Sequence, residues 1–306
     1  TLIWSILSAF RKTAVFLPHK AAVVFGGLVG SLVCWLTPDK RREATERCSK
    51  ILGITHKEAA RTVREAYKNF GKSAAEFLRI PVMAPKLDQI VAVYGEENLS
   101  EAYRAGKGVF IVTAHIGNWE YAGAWCAQHG YPMNGLGTDQ RDQRITDLIM
   151  ELRSAGGMKA LGKASDLKAM IKALQKGEII AVPVDQDAKK AGVVSPFLGY
   201  PASTPIGMAK LADKLGCAVV PAYCVRWLGT EKLELHFLPA LKGRDGKAYG
   251  KDIQSSIDDC NAVISKWIRK YPDQWMWMYP RWESVERGYF DRSEEHTSEL
   301  QSHLNL

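Results

Sequence analysis

In the run His115-Ile116-Gly117-Asn118-Trp119-Glu120, an imidazole and a carboxylate stand four residues apart. Histidine titrates near neutral pH, and a carboxylate that orients it completes the minimum equipment for taking a proton from a hydroxyl. Gly117 permits a tight bend between them, and Asn118 is a good helix N-cap, so the two side chains can meet across a turn. Spacing alone leaves a second reading open. Glu120 then stands where it does because acids stabilise the first turn of a helix, and His115 is a hydrogen-bonded residue at a strand end.

Other polar residues belong with this pair. Residues 179–184 form an apolar run that ends in Asp185-Gln186-Asp187. If the strands ending there and before His115 are parallel, both polar ends lie on the edge of the sheet where ligands bind; otherwise the two acids are ordinary loop and cap residues. Arg153 ends a helical run just before Gly156-Gly157, where a cation suits the helix dipole or pairs a phosphate. Arg281 is the only charge in the aromatic-dense residues 274–282. It is either part of core packing beside an interfacial aromatic belt or a contact for an anionic headgroup. Backbone N–H groups at the start of the helix capped by Asn118 are candidates to meet an oxyanion.

These groups need a scaffold. An apolar strand-like run, residues 109–114, leads into His115, and a helix-like run follows over residues 120–129. Short β-rich and helical stretches then alternate: 133–137, 140–155, 167–176, 179–184, 205–215 and 218–225. That alternation predicts an α/β fold, a mixed, mostly parallel sheet flanked by helices. Between Ala188 and Thr204 a long loop is expected, its apolar part, residues 195–201, shaping a pocket for an acyl chain.

The first 80 residues read as helical and membrane-associated. Residues 21–36 carry no charge and are flanked by Lys20 before and Lys40, Arg41 and Arg42 after. Sixteen residues are short for a full span, which leaves a helical hairpin, one short span, or a buried core helix. Residues 38–53 and 55–79 pattern as amphipathic helices, the second with Thr55 and Glu58 spaced as a capping box. The expected division is 1–80 for the helical region, 81–291 for the α/β domain, and 292–306 for a non-native tail that packs on nothing.

The bulk numbers narrow the class. The chain has 306 residues, 46% of them hydrophobic, and a formal charge of +8. The tail holds one arginine and three glutamates, so the body is +10, which favours an anionic partner: a phosphorylated lipid, a membrane surface or an acidic carrier protein. The basic residues are dispersed and carry no nucleic-acid-binding signature, so nucleic acid is not expected. The six cysteines are scattered with no Cys-x-x-Cys pair, as in a reduced compartment without a zinc ribbon. No Gly-x-Gly-x-x-Gly fingerprint, His-Glu-x-x-His motif or nucleophile elbow is present.

Taken in order, these motifs resemble the bacterial lipid A biosynthesis acyltransferases, the late lauroyl/myristoyl transferases, and the related mannoside acyltransferases. The resemblance runs from Leu17 to Trp282. It rests on the His-x4-acid box (His115 to Glu120), Arg153 before Gly156-Gly157, Asp185-Gln186-Asp187, an aromatic-Gly-x-Pro-Ala-x-Thr run from Phe197 to Thr204, and the aromatic-Arg stretch ending at Trp282. It implies an enzyme on the cytoplasmic face of the bacterial inner membrane. Such an enzyme moves an acyl chain from acyl carrier protein to a hydroxyl of a lipid A precursor, without cofactor or metal. The implied catalytic pair is His115 as base with Glu120 orienting it. Asn118, Arg153, Asp185, Gln186, Asp187, Thr204 and Arg281 are the implied substrate-binding set, with Asp185 or Asp187 as a second partner for the histidine. The rivals are another glycolipid or lysophospholipid acceptor, a metal-dependent hydrolase using the same acids, and a non-catalytic lipid-binding protein.

Overall fold

The charge-free apolar run becomes a helix because nothing in it breaks one until Thr37-Pro38. In the computed structural model, which describes residues 2–137, 140–163, 167–227 and 229–290, α1 (Leu2–Phe16) and α2 (His19–Leu36) are parted at Pro18. They are followed by α3 (Pro38–Leu52), α4 (His56–Leu78) and the single turn α5 (Ile80–Met83). Thr55 and Glu58 form the expected capping box at the start of α4. The expectation for residues 292–306 lies outside the described residues.

Strands and helices then alternate. The order is β1 (Val91–Tyr94), α6 (Glu96–Arg104), β2 (Val109–Thr113), α7 (Trp119–Gln128), β3 (Met133–Gly137), α8 (Gln143–Ala155), β4 (Lys159–Lys163), α9 (Leu167–Gln175) and β5 (Ile179–Pro183). After these come β6 (Gly192–Phe197), β7 (Tyr200–Pro205), α10 (Gly207–Leu215), β8 (Ala218–Arg226), β9 (Leu233–Phe237), α11 (Ile253–Lys270) and α12 (Glu283–Glu286). Seven strands form one sheet in the order β1-β9-β8-β2-β5-β3-β4. Every pairing in it is parallel except β8 with β9.

Strand β2 shows why the sheet is covered on both faces. Its side chains alternate, so Phe110 and Val112 enter one core and Val109 and Ile111 the other. The first core also takes Cys48, Val63 and Tyr67 from α3 and α4, so the N-terminal helices and the sheet share packing. Helix α2 lies against α4 at glycines. A Cβ on Gly26 would stand 2.5 Å from the Gly71 carbonyl oxygen, and one on Gly30 would stand 2.2 Å from that of Tyr67. The opposite side of α2 is apolar and exposed, with Leu28 at 65% and Trp35 at 69%. Among the described residues α2 is the one helix long and apolar enough to cross a membrane by length and composition.

One expectation is corrected. Residues 188–204 are not a long loop: β6 and β7 pair antiparallel through the turn Leu198-Gly199. Both turn residues have positive φ, 54° and 90°, which suits a two-residue hairpin. Leucine is a poor residue for that conformation. Tertiary contacts hold it there, since Leu198 N–H donates to Ser265 Oγ and its carbonyl accepts from Arg269 Nη2.

Candidate active site

The turn after β2 is held by hydrogen bonds from several sides. Gly117 adopts φ 57°, and a Cβ there would lie 2.0 Å from the Cys224 carbonyl oxygen, so only glycine fits. Gly117 N–H donates to the Gln274 carbonyl and Asn118 N–H to that of Cys224. The Asn118 side chain caps α7 by accepting from Tyr121 N–H at 3.0 Å. From the α4 side, Ser73 Oγ donates to the Gly117 carbonyl, and Asn118 Nδ2 donates to Glu76 Oε2, each at 2.8 Å.

The register Thr113 with Pro183 puts the ends of β2 and β5 side by side, and it brings Asp185 to His115. Asp185 Oδ1 lies 2.8 Å from His115 Nδ1, while Oδ2 accepts the His115 backbone N–H and Trp275 Nε1–H, both at 2.8 Å. An ionised carboxylate only accepts, so Nδ1 carries the ring proton and Nε2 is the basic atom. Burial alone would lower the His115 pKa; the charge and hydrogen bond of Asp185, with Glu120 behind them, raise it above the ordinary value. Burial would raise the Asp185 carboxyl, yet the charge and hydrogen bond of His115 and the bond from Trp275 hold it below its usual range.

Glu120 is engaged differently from the expectation. Its oxygens accept Arg153 Nη2 at 2.7 Å and Nε at 3.0 Å, a two-point ion pair. Arg153 also donates from Nη1 to the Leu136 carbonyl. The partner holding the imidazole tautomer is therefore Asp185, and Glu120 acts on His115 through space. Burial opposes the charge on Arg153, but the Glu120 carboxylate outweighs it and raises its pKa.

His115, Glu120, Arg153 and Gln186 line one cleft of about 210 Å³. Its remaining walls include small and apolar residues such as Gly123, Gly135, Leu136, Met158 and Ala181. The ring of Trp119 stands edge-on to His115 with centroids 5.0 Å apart. A second cavity of about 210 Å³ shares Trp119, Glu120, Ile149 and Arg153 with the cleft. At Phe70 and Ala74 it meets a nearly apolar groove of about 520 Å³ between α2, α4 and residues 276–280.

Of the expected binding residues, Arg153 and Gln186 line the cleft and the other five do not: Asn118 and Asp185 are buried supports of the His115 turn, and three more are committed elsewhere. Asp187 turns to α12, accepting from Ser284 N–H at 2.8 Å and Ser284 Oγ–H at 2.6 Å. Thr204 is fully buried, and its hydroxyl accepts from Arg281 and Asn261. Arg281 has no exposure, donates to the Ser203 carbonyl as well, and stacks over Phe197. Burial lowers its pKa to about 10. It ties the β6–β7 hairpin to the C-terminal segment rather than facing a headgroup. Phe197 and Leu198 are likewise buried and shape no part of the cleft. The Gly117 and Asn118 N–H groups, which precede α7, are spent on carbonyls, so any oxyanion donor at this end lies within the first turn of α7 itself. Among the described residues, no three His, Cys, Asp or Glu side chains gather to hold a metal ion.

Ser73, Glu76 and Arg226 were not anticipated from sequence. Their signal was a charge on an apolar face: Glu76 stands among the buried Ser73, Ala75 and Leu78 of α4.

Comparison with known proteins follows the same lines. The chain matches the bacterial lipid A biosynthesis acyltransferase family over residues 1–284. A phosphatidylinositol mannoside acyltransferase of Mycobacterium tuberculosis (strain CDC 1551 / Oshkosh) is 24% identical over 244 residues, covering 77% of this chain and 72% of that protein. A lipid A biosynthesis lauroyltransferase of Escherichia coli (strain K12) is 27% identical over 211 residues, 64% of this chain and 63% of its own. The lipid A biosynthesis palmitoleoyltransferase of the same organism is 24% identical over 284 residues, 90% and 89% of the two chains.

Proposed function

The chain belongs to the bacterial lipid A biosynthesis acyltransferase family, and from that membership we propose a membrane-bound enzyme that moves a fatty acyl chain from an acyl-carrier-protein thioester to a hydroxyl of a lipid A precursor. The observation that carries the chemistry is His115 gripped by Asp185 at the rim of an apolar-walled cleft. His115 Nε2 takes the proton of the acceptor hydroxyl as its oxygen attacks the thioester carbonyl. Asp185 fixes the tautomer and balances the imidazolium, as the carboxylate does in a triad. The ester C–O bond forms, the C–S bond breaks, and Nε2 passes its proton to the departing sulfur, so the carrier leaves as a free thiol and His115 is neutral again. Negative charge developing on the carbonyl oxygen is met by Arg153 and the positive end of α7. Glu120 keeps the Arg153 guanidinium in place, its two oxygens matching the two donors.

The setting is the cytoplasmic face of the bacterial inner membrane. The exposed apolar side of α2 supports contact with lipid, and the +10 body favours both an acidic carrier and a phosphorylated acceptor. The groove between α2 and α4 offers lipid an apolar route toward Glu120 and Arg153. A mannoside or other glycolipid is the second acceptor reading, favoured by the mycobacterial relative.

The deciding experiment incubates membranes bearing the protein with acyl-carrier thioesters of several lengths and identifies the acylated lipid by mass spectrometry. An acylated glucosamine lipid, formed by the parent and lost in His115→Ala, is the expected result. Acyl transfer persisting at the parent rate in folded His115→Ala would remove the imidazole from the mechanism. Labelled lipid that binds without turnover would make this a lipid-binding protein.

A further inference from the structure

Beneath the turn that carries His115 lies a buried ion pair that acyl transfer does not use. Glu76, with no exposure, accepts from both terminal nitrogens of Arg226, which is 5% exposed. Its Oε2 also accepts Asn118 Nδ2–H at 2.8 Å. One turn earlier on the same helix, Ser73 Oγ donates to the Gly117 carbonyl at 2.8 Å. Both contacts land on turn residues between His115 and Glu120. The same residues are pinned from the other side by the Gln274 and Cys224 carbonyls.

A buried ion pair is weak evidence of stability, because well-packed apolar residues of similar size often serve as well. An apolar pair has no means, however, of holding the Asn118 amide in one orientation. That orientation matters twice, since Asn118 Oδ1 caps α7 and so aims the first turn of the helix that bears Glu120. A reacting constellation needs its supporting groups locked in this way.

We propose that Ser73 and Glu76 are positioning residues for the acyl-transfer site, with α4 acting as a strut under the turn that carries His115 and Glu120. The inference rests on the acyl-transfer reading above. Because α2 is docked on α4 at Gly26 and Gly30, the apolar N-terminal helix is joined by backbone-to-backbone packing to the catalytic turn. The helical region thus belongs to the catalytic apparatus and is more than an anchor.

The test uses full-length protein, the dodecanoyl thioester of acyl carrier protein, and vesicles containing a phosphorylated glucosamine lipid. In Glu76→Gln, kcat should fall roughly tenfold to a hundredfold, the scale of a small misplacement of reacting groups, with KM for the thioester unchanged. Adding Asn118→Asp reverses donor and acceptor in the same hydrogen bond and should restore most of kcat. NMR of the His115 ring supplies a readout that needs no turnover: the Nδ1–H resonance should move in Glu76→Gln and return in the double variant. If Glu76→Gln does not fold, Ser73→Ala, which removes a single hydroxyl, decides on the same two readouts. Parent kcat in the folded variants, or a loss that only follows the folded fraction while the His115 resonance stays put, overturns the proposal. A parent protein that transfers no acyl chain refutes the functional reading instead, and the ring resonance still reports whether α4 holds the turn.

Discussion

Asp185 holds His115 at two points. One carboxylate oxygen lies 2.8 Å from ring Nδ1, and the other accepts the backbone N–H of the same residue at 2.8 Å. Ring and backbone are thus fixed together, and the indole of Trp275 fixes the carboxylate in turn. Replacing Asp185 by asparagine keeps the shape but places an amide where only an acceptor fits. Asp185→Asn should lower kcat by roughly 10²- to 10⁴-fold with the fold retained, the range of general acid–base catalysis, with loss of a triad's orienting acid at its upper end. Single-turnover rates on protein with an unchanged circular dichroism spectrum check this; parent rates would return the orienting role to Glu120.

The pH profile follows from the same contact. A general base works unprotonated, and Asp185 raises the His115 pKa above its ordinary 6.5. The rate should therefore climb with pH through a midpoint above 6.5. In Asp185→Asn the charge that opposes burial is gone, so the residual activity should show its midpoint at lower pH. The stability sign agrees: a raised folded pKa adds stability that is present below 6.5 and is lost as pH rises through the folded value. A midpoint unmoved by the substitution would mean that another group controls the limb.

The Glu120–Arg153 pair is nearly as enclosed, with side chains 11% and 15% exposed. Arg153→Lys retains a charge but not the fork that matches two carboxylate oxygens. It should cut kcat about 10²-fold or more, on the scale of a lost donor to a developing oxyanion, and leave the thioester KM nearly unchanged. Arg153→Met strands a carboxylate and should cost about 3 kcal/mol of stability by chemical denaturation. If Arg153→Lys matches the parent in kcat, the guanidinium has no part in the transition state.

Chain-length preference should answer to Gly123. A Cβ at this position would meet the Sδ and Cε of Met158 at 2.8 Å, and both residues line the cleft. The thioether end is flexible, so it shifts into the free space rather than straining the backbone. Gly123→Ala should therefore move the preferred acyl donor to a shorter chain while the parent's best donor loses kcat/KM. Competition between thioesters of several lengths, read by mass spectrometry, checks it; an unchanged ranking would put the chain elsewhere.

The α2–α4 contact should tolerate no bulk. Gly30→Val drives a side chain against the Tyr67 backbone, where 2.2 Å is all the room there is. A loss of roughly 1–3 kcal/mol or more is expected, as for overpacked cores, seen as a fall in Tm. An unchanged Tm would show that the two helices separate freely.

How much of this was legible beforehand depends on range. Local chemistry carried the strand before His115, the Asn118 cap, the Thr55 capping box and the alternation that makes an α/β sheet, because each is decided within a turn or a strand of chain. Strands β1, β4 and β9 and the long helix α11 were not named in advance. Strand β4 holds one glycine and two lysines in the five residues Lys159–Lys163, and only its partner β3 makes it a strand. The hairpin across Leu198-Gly199 was hidden for a similar reason, since Ser265 and Arg269 hold a turn that leucine disfavours.

The sequence by itself determined which residues stand at the sheet edge: an imidazole after one strand and a carboxylate after another, with an arginine at the end of a helix. Only the tertiary structure decided who pairs with whom. His115 chose Asp185, seventy residues away, over Glu120, because parallel register places β2 and β5 side by side while α7 turns Glu120 toward Arg153. Burial drew the other line. Thr204, Arg281 and Asp187 carry the right chemistry, but Thr204 and Arg281 are sealed in the core against the hairpin, and the Asp187 carboxylate is bonded to Ser284 of α12.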